Sequence, residues 1–380
     1  MFDAIRCILQ AGPPEAWNAG LLANVFYIVV PSGLFSLQNC IFAVQNYIYF
    51  VEVRNFAVEK LLLPLMRAPS LFRTIVDIPT HNPLLTLRDE SVFLGSCFAE
   101  NIGRQFLEYG LPATVNPLGV LYNPASILAV VRQALEPDVL PLFQADGEWR
   151  CWLTDTQLGG TSEQECRKVV EGAFMLLGEA LRSARYVFLT LGTNVCYRLR
   201  ENGLLVGNCH KQPGKLFQEV RLSTRECVSA LEETIHLLQK SNPQVRVVLT
   251  LSPYRYVKYG FHQSQVSKST LLLAEDELCQ RFPETVSYFP AYEIVLDELR
   301  DYRFYSTDML HPSPQAIDYI WQRMVDSMMD AELQQYLTEY EPIRRDLAHR
   351  PVHPDSPQTL HFQQCTKERL EALRRKYGIT

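Results

Sequence analysis

SVFLGSCFAENIG, residues 91–103, is the stretch on which the reading of the chain turns. Residues 92–94 form a short, continuously apolar run, as expected of a strand buried on both faces. The run ends in Gly95-Ser96-Cys97. Apolar residues then recur at Ile102, Phe106 and Leu107, at helical spacing, until Gly110 and Pro112 close the segment. A strand passing directly into a helix is a common way for a parallel α/β sheet to present a nucleophile or bind an anion. The helix N-terminus leaves backbone N–H groups free and carries a positive partial charge. Ser96 stands at that junction.

The same alternation continues downstream. Residues 186–191 (YVFLTL) and 245–251 (VRVVLTL) are apolar, β-branched runs of strand length, ended by Gly192-Thr193-Asn194 and Ser252-Pro253. Shorter strands are predicted at 113–115 and 285–289. Helical patterns cover 126–134, 162–185, 223–240, 265–279 and 315–329, with a short helix at 294–299. Residues 71–78 read as an opening strand or extended arm, and 137–160 as an irregular excursion that helps wall a pocket. Asn202-Gly203 is a hairpin turn signal. This pattern predicts an α/β fold with a central parallel sheet covered on both faces. Its core should contain Phe93, Leu94, Val187, Phe188, Leu189, Val247, Val248, Leu249 and Leu251. Strand order is not legible. Ligands of such sheets sit beyond the carboxyl ends of the strands, so the polar ends at Ser96, Asn194 and Ser252 should converge.

Composition narrows the class. The balance of 47% apolar and 21% charged residues is that of an ordinary globular protein. A net charge of -6 lacks the basic excess of a nucleic-acid binder, so no nucleic-acid partner is expected. The 10 cysteines form no CxxC pair, which argues against a zinc site and for a reducing, cytoplasmic compartment. No metal and no cofactor are expected.

The first 65 residues do not match the rest. Residues 16–51 are rich in Phe, Tyr, Ile, Val, Asn and Gln, and the best apolar run, 21–37, is interrupted by Asn24, Pro31 and Gly33. Its pieces are shorter than the roughly 18–20 residues of a spanning helix. The segment reads either as a hydrophobic anchor or as translated sequence upstream of a start at Met66, and membrane association is expected only if it is native. The expected organisation is this uncertain segment at 1–65, a catalytic domain at 66–330, and a helical extension at 331–380 that packs on it.

Asp308-Met309-Leu310-His311 supplies an acid and a base three residues apart. A histidine can take a serine proton, and an aspartate can hold the imidazole tautomer. On position alone Ser96 reads as a helix N-cap; a distant Asp/His pair makes it a candidate nucleophile. Cys97 competes for that role. Asn208, His210 and Lys211 form one further polar cluster, and Tyr254, Arg255, His262 and Lys268 another. Each is either loop hydrogen bonding or substrate contact, and Asn208, His210, Arg255 and Lys268 are the candidate contacts, Arg and Lys for an anionic group.

These blocks resemble the GSCFA domain family, placed in the SGNH (GDSL-type) hydrolase superfamily. The resemblance rests on GSCFAENIG at 95–103, FRTIVDIP at 72–79, NPLGVLYNP at 116–124, NCHK at 208–211, SPYRYVKYGFHQSQVSKSTLL at 252–272, YFPAYEIVLDELRDYRFYSTDMLHPS at 288–313 and HRPVHP at 349–354. It implies a three-layer α/β/α, flavodoxin-like fold. It implies a Ser96-Asp308-His311 triad, with an oxyanion hole from the Ser96 N–H, Gly119 and Asn194. The superfamily's Gly-Asp-Ser-Leu reads Leu94-Gly-Ser-Cys here, and its GxND block reads Gly192-Thr-Asn-Val195. The implied activity is a serine esterase acting on a small-molecule or carbohydrate ester, an O-acetylated carbohydrate first. An O-acyltransferase using the same triad and a non-catalytic carbohydrate-binding module with a degenerate site are the alternatives.

Overall fold

The computed structural model describes residues 73–79 and 83–379. The readings made for 1–65 lie outside the described residues. Five parallel strands form the central sheet: β1 (Ser91–Gly95), β2 (Ala113–Val115), β6 (Tyr186–Leu191), β10 (Arg246–Leu251) and β11 (Val286–Tyr288). Their order across the sheet is β11-β10-β6-β1-β2. The chain therefore winds outward from β1 to β2, returns to pair β6 beside β1, and winds outward the other way. This is the flavodoxin-like order, with its topological switch between β1 and β6.

Period-two alternation sorts the strand side chains onto two faces. Val92 and Leu94, Val187, Leu189 and Leu191, and Val247, Leu249 and Leu251 join one core cluster. Phe93, Tyr186, Phe188 and Val248 join the other. All nine expected core residues are buried.

On the first face lie α2 (Pro124–Leu135), α3 (Glu163–Ser183), α4 (Thr224–Ser241) and α5 (Phe261–Arg281). On the second lie α1 (Cys97–Glu108), α6 (Pro314–Met328), α7 (Ala331–Ala348) and α8 (Pro357–Tyr377). The result is a three-layer α/β/α fold. Helix α1 is held by an aromatic stack. Phe93 and Phe188 stack at 4.5 Å, and Phe106 of α1 meets Phe93 edge-on at 4.8 Å and Trp321 of α6 at 5.3 Å. Each such buried ring contributes about 1.5–3 kcal/mol. The stack thus fixes the angle at which α1 leaves β1, which sets the site geometry.

Two regions differ from the sequence reading. Residues 137–160 are not irregular throughout: β3 (Leu142–Ala145), β4 (Glu148–Cys151) and β5 (Gly159–Gly160) form an antiparallel sheet. A second small sheet joins β7 (Val195–Leu199), β8 (Leu205–Val206) and β9 (Phe217–Arg221), with Asn202-Gly203 in the expected turn. These strands are short and half exposed, so their hydrophobic pattern is weak. Residues 74–79 run without a strand partner, as an arm. The Val76 N–H donates to Glu298 Oε2 at 3.1 Å, and Arg323 donates to the Val76 carbonyl at 2.7 Å. Among the described residues no helix is long and apolar enough to cross a membrane.

Gly95 carries the switch. Its φ is +140, and a Cβ there would stand 2.2 Å from the Thr190 carbonyl oxygen of β6. Neither the backbone conformation nor the space tolerates a side chain. Gly95→Ala is expected to cost on the order of 3 kcal/mol or more, measured as a lower midpoint in denaturant unfolding; an unchanged midpoint would refute this account of the junction.

Candidate active site

The carboxyl ends of β1, β6 and β10 lie side by side in the sheet, with Gly95 in register with Thr190 and Thr190 with Thr250. The backbone after β1 stays tied to β6, with the Ser96 N–H donating to the Thr190 carbonyl at 3.2 Å. Asn116 clasps Gly95 from the other side: its Oδ1 accepts from the Gly95 N–H at 2.9 Å and its Nδ2 donates to the Gly95 carbonyl at 3.2 Å. Asn116 has a φ of 39. Asn tolerates this left-handed conformation better than most residues. In the sequence Asn116 only opens the NPLGVLYNP block; its role as a clasp depends on β2 lying beside β1, which no local pattern records.

Ser96 is the N-cap of α1. It is 2% exposed, and its Oγ accepts from the Phe98 N–H at 3.2 Å. Cys97, the first residue of the helix, is partly exposed. Burial pushes the Cys97 thiol above its usual range and Glu100 adds to this. The Cys97 and Phe98 N–H groups and Lys268 oppose it.

Asp308 and His311 form a self-contained loop. Asp308 Oδ1 accepts from the Leu310 and His311 N–H groups at 2.9 and 3.0 Å, and Oδ2 pairs with His311 Nδ1 at 2.5 Å. Met309 between them has a φ of 59, the turn that lets Asp308 face back along its own chain. The bond from the His311 N–H, then the bond to its ring and that from the Leu310 N–H, hold the Asp308 carboxyl down at about 2. With a carboxylate on Nδ1, the imidazole carries its proton there and leaves Nε2 as a base. The Arg255 N–H donates to the Leu310 carbonyl at 2.9 Å, joining this loop to the segment after β10. The Tyr254 ring lies 4.3 Å from the His311 ring. The Tyr254 phenol is raised by burial, then by the charges of Asp308 and Cys97.

The donors expected for an oxyanion are engaged elsewhere. Besides the Ser96 N–H, the Gly119 N–H closes a turn on the Asn116 carbonyl at 2.9 Å. Gly119 is glycine for another reason: its φ is +91, and a Cβ would meet the Asp155 Cβ at 2.3 Å. Asn194 gives its Nδ2 to the Leu222 carbonyl at 2.7 Å, and its buried Oδ1, an acceptor, is unpaired among the described residues.

Two of the four candidate contacts are corrected by burial. His210 is 3% exposed with both ring nitrogens engaged, Nε2 with the Cys151 carbonyl at 2.9 Å and Nδ1 with Thr156 Oγ1 at 3.1 Å. It pins loops and has no nitrogen left for a substrate. Lys268 is 2% exposed and donates to the Ser252 carbonyl at 2.6 Å. It closes the end of β10 from below, and burial lowers its pKa to about 7. Asn208 is half buried, accepting from the His210 N–H at 2.8 Å and donating to Asp155 Oδ2 at 3.4 Å. Arg255, also half buried, reaches the Tyr292 hydroxyl at 3.4 Å.

The fold and site define a doubly wound α/β protein in which a hydrogen-bonded Asp308–His311 pair lies against the segment that follows β10. The GSCFA family model matches residues 90–324, and the model of the GSCFA domain protein C-terminal domain matches 340–378. The chain belongs to the GSCFA family. It matches no curated protein. Among solved structures, an acetyl xylan esterase (Est2A) from the rumen bacterium Butyrivibrio proteoclasticus is similar with a TM-score of 0.28 and 13% identity, over 66% of this chain and 64% of that one. The chain thus spans less than two thirds of that enzyme's length.

Asn116→Ala removes the side chain that clasps Gly95 and leaves the buried Gly95 N–H without its acceptor. The expected loss is about 1–3 kcal/mol of stability, read by denaturant unfolding; Asn116→Asp, which keeps the acceptor, should lose less.

Proposed function

We infer that the chain hydrolyses carboxylic esters by acyl transfer, with Ser96 at the β1–α1 junction as the nucleophile and His311 as its base. The observation that carries this reading is the 2.5 Å bond between Asp308 Oδ2 and His311 Nδ1, in a loop whose backbone already fixes the carboxylate. A surface Asp serving only as a helix cap would have no need of a histidine held in one tautomer. Here the cap of the following helix is a separate residue, Ser313, whose Oγ accepts from the Ala316 N–H.

His311 Nε2 takes the nucleophile's proton as it attacks the ester carbonyl. The N-terminus of α1 supplies positive potential for the oxyanion. The imidazolium, stabilised by Asp308, then protonates the leaving alcohol, and the same base activates water to clear the acyl group. An O-acylated carbohydrate is the substrate class to try first, with Arg255 and Asn208 as contacts at the rim. Acyl transfer to a sugar hydroxyl uses the same groups, and acetyl release compared with acetyl transfer to an added acceptor separates the two. The engagement of the three expected oxyanion donors favours the rival reading of a non-catalytic carbohydrate-binding module.

The test is p-nitrophenyl acetate turnover. His311→Ala and Asp308→Asn should each lower kcat/KM by on the order of 10³–10⁴-fold, the second because the wrong imidazole tautomer is then favoured. Equal rates in wild type and both variants would refute the catalytic reading and leave the binding module. The depressed value of Asp308 also sets a pH expectation. Its contribution is present above the ordinary carboxylate range and is lost only as pH falls through about 2. Loss of activity at milder acidity must therefore come from another group, so a pH–rate profile of Asp308→Asn should keep the acid-side limb of the wild type at lower overall rates.

A further inference from the structure

We propose that the YRYVKY segment at 254–259 and the small sheet beside it form a saccharide-binding row, which holds the alcohol half of the ester as a chain of sugar rings. The inference rests on the esterase reading above and names the part of the substrate that the site recognises.

The row is built from direct contacts and starts at the base itself, where Tyr254 packs 4.3 Å from the His311 ring. Tyr256 meets Tyr254 edge-on at 5.6 Å, and Tyr259 stacks on Tyr256 at 6.0 Å with 23° between the planes. The Tyr259 hydroxyl lies 2.8 Å from that of Tyr197 on β7 and donates to Glu219 Oε2 on β9 at 2.5 Å. Arg221 stands 4.7 Å over the Tyr259 ring, and Lys258 stands 4.9 Å over the rings of both Tyr197 and Tyr259. Arg221 donates in turn to Gln263 of α5 at 2.9 Å. The segment that leaves the end of β10 is thereby braced by β7, β9 and α5.

Two properties mark this row as a binding surface rather than packing. Tyr254, Tyr256, Tyr259 and Tyr197 are half-buried, so rings joined in a line still present surface to solvent. The hydroxyls of Tyr254 and Tyr256 have no hydrogen-bond partner among the described residues, and neither is sealed from solvent. A tyrosine that only fills space usually finds a partner for its hydroxyl. The two beside the base keep theirs for a ligand.

The chemistry of the row selects its occupant. Aromatic surface, free hydroxyls and exposed charged side chains suit a molecule with apolar faces and polar edges. A sugar ring is one: its C–H faces pack on an aromatic ring while its hydroxyls bond at the rim. Glu219 lies 3.6 Å from Lys258, so the far end is not a site for a polyanion. Position then decides which half of the ester is held. His311 gives its proton to the leaving oxygen, so the surface continuous with its ring borders the alcohol, and the acyl group lies toward Ser96. Three successive ring contacts extend past a single sugar, so the row takes further units of the chain.

The experiment uses the full chain, p-nitrophenyl acetate and partly O-acetylated hexasaccharides of glucose, xylose, mannose and N-acetylglucosamine, each beside its acetylated monosaccharide. For wild type, at least one hexasaccharide should exceed its monosaccharide in kcat/KM by about tenfold or more. Tyr256→Ala should remove most of that gain through a higher KM with kcat little changed, because the row touches parts of the substrate that do not react. Tyr256→Phe, which keeps the ring, should retain more of it than Tyr256→Ala. Lys258→Ala, at an exposed side chain whose loss the fold tolerates, should reduce the gain in the same sense. No preference for any hexasaccharide, or a preference that survives both Tyr256→Ala and Lys258→Ala, overturns the row. The esterase reading then still stands if His311→Ala abolishes p-nitrophenyl acetate turnover. Turnover unaffected by His311→Ala overturns the esterase reading and with it the assignment to an alcohol half. Calorimetric titration of the unacetylated hexasaccharides then decides the row alone: binding to wild type that Tyr256→Ala weakens supports it, and no binding overturns it as well.

Discussion

The approach of Gly95 to Thr190 is the contact from which the rest of the site takes its position. Two parallel strands, β1 and β6, pair along their length, and at their carboxyl ends one must turn away. Because a Cβ at Gly95 would stand 2.2 Å from the Thr190 oxygen, the chain can turn there while Ser96 still donates to the same carbonyl. Helix α1 therefore starts hard against the sheet. The aromatic stack of Phe93, Phe106, Phe188 and Trp321 fixes its direction, and the Asn116 clasp closes the turn from the β2 side. Backbone hydrogen bonds, a missing side chain and ring packing thus act on one residue from three directions.

Much of this was legible in the sequence, for identifiable reasons. β6 and β10 announce themselves because strands buried on both faces must be apolar at every position, and YVFLTL and VRVVLTL satisfy that without help from context. The Asp308–His311 pair was legible because its geometry is local, set within four residues. What failed to show depends on partners distant in the chain. Asn194 looks like a donor until the Leu222 carbonyl is found on its amide, and Gly119 looks like a donor until the Asn116 carbonyl is found on its N–H. His210 and Lys268 read as polar contacts because nothing local signals that each will be buried. The excursion at 137–160 hid a small sheet because half-exposed strands of four residues carry too little alternation to count.

Lys268 and Glu275 place an unusual load beneath the site. Both sit on α5 and both are almost fully buried. Burial lowers the lysine and raises the carboxyl, and the two carboxylate oxygens have no hydrogen-bond partner among the described residues. Their linkage to stability runs in opposite directions. Above its lowered value Lys268 has lost a proton that the unfolded chain keeps, so stability rises with pH there. Glu275 retains a proton that the unfolded chain loses, so stability falls. Lys268 also supports the Ser252 carbonyl at the end of β10 and opposes the rise of the Cys97 thiol. The floor of the site is therefore electrically responsive although no charged group of it reaches solvent.

The loop holding Asp308 and His311 has a different kind of independence. The three bonds that orient its carboxylate all come from residues 308–311, while the Arg255 N–H on the Leu310 carbonyl and the Tyr254 ring against His311 join it to the segment after β10. Its preorganisation is consequently a property of a short peptide and not of the core. Such a part is portable. Drift in the layers around it can reshape the pocket and exchange one substrate for another without the acid and base having to be reinvented, while the junction opposite, held by the packing of the whole sheet, has no such freedom.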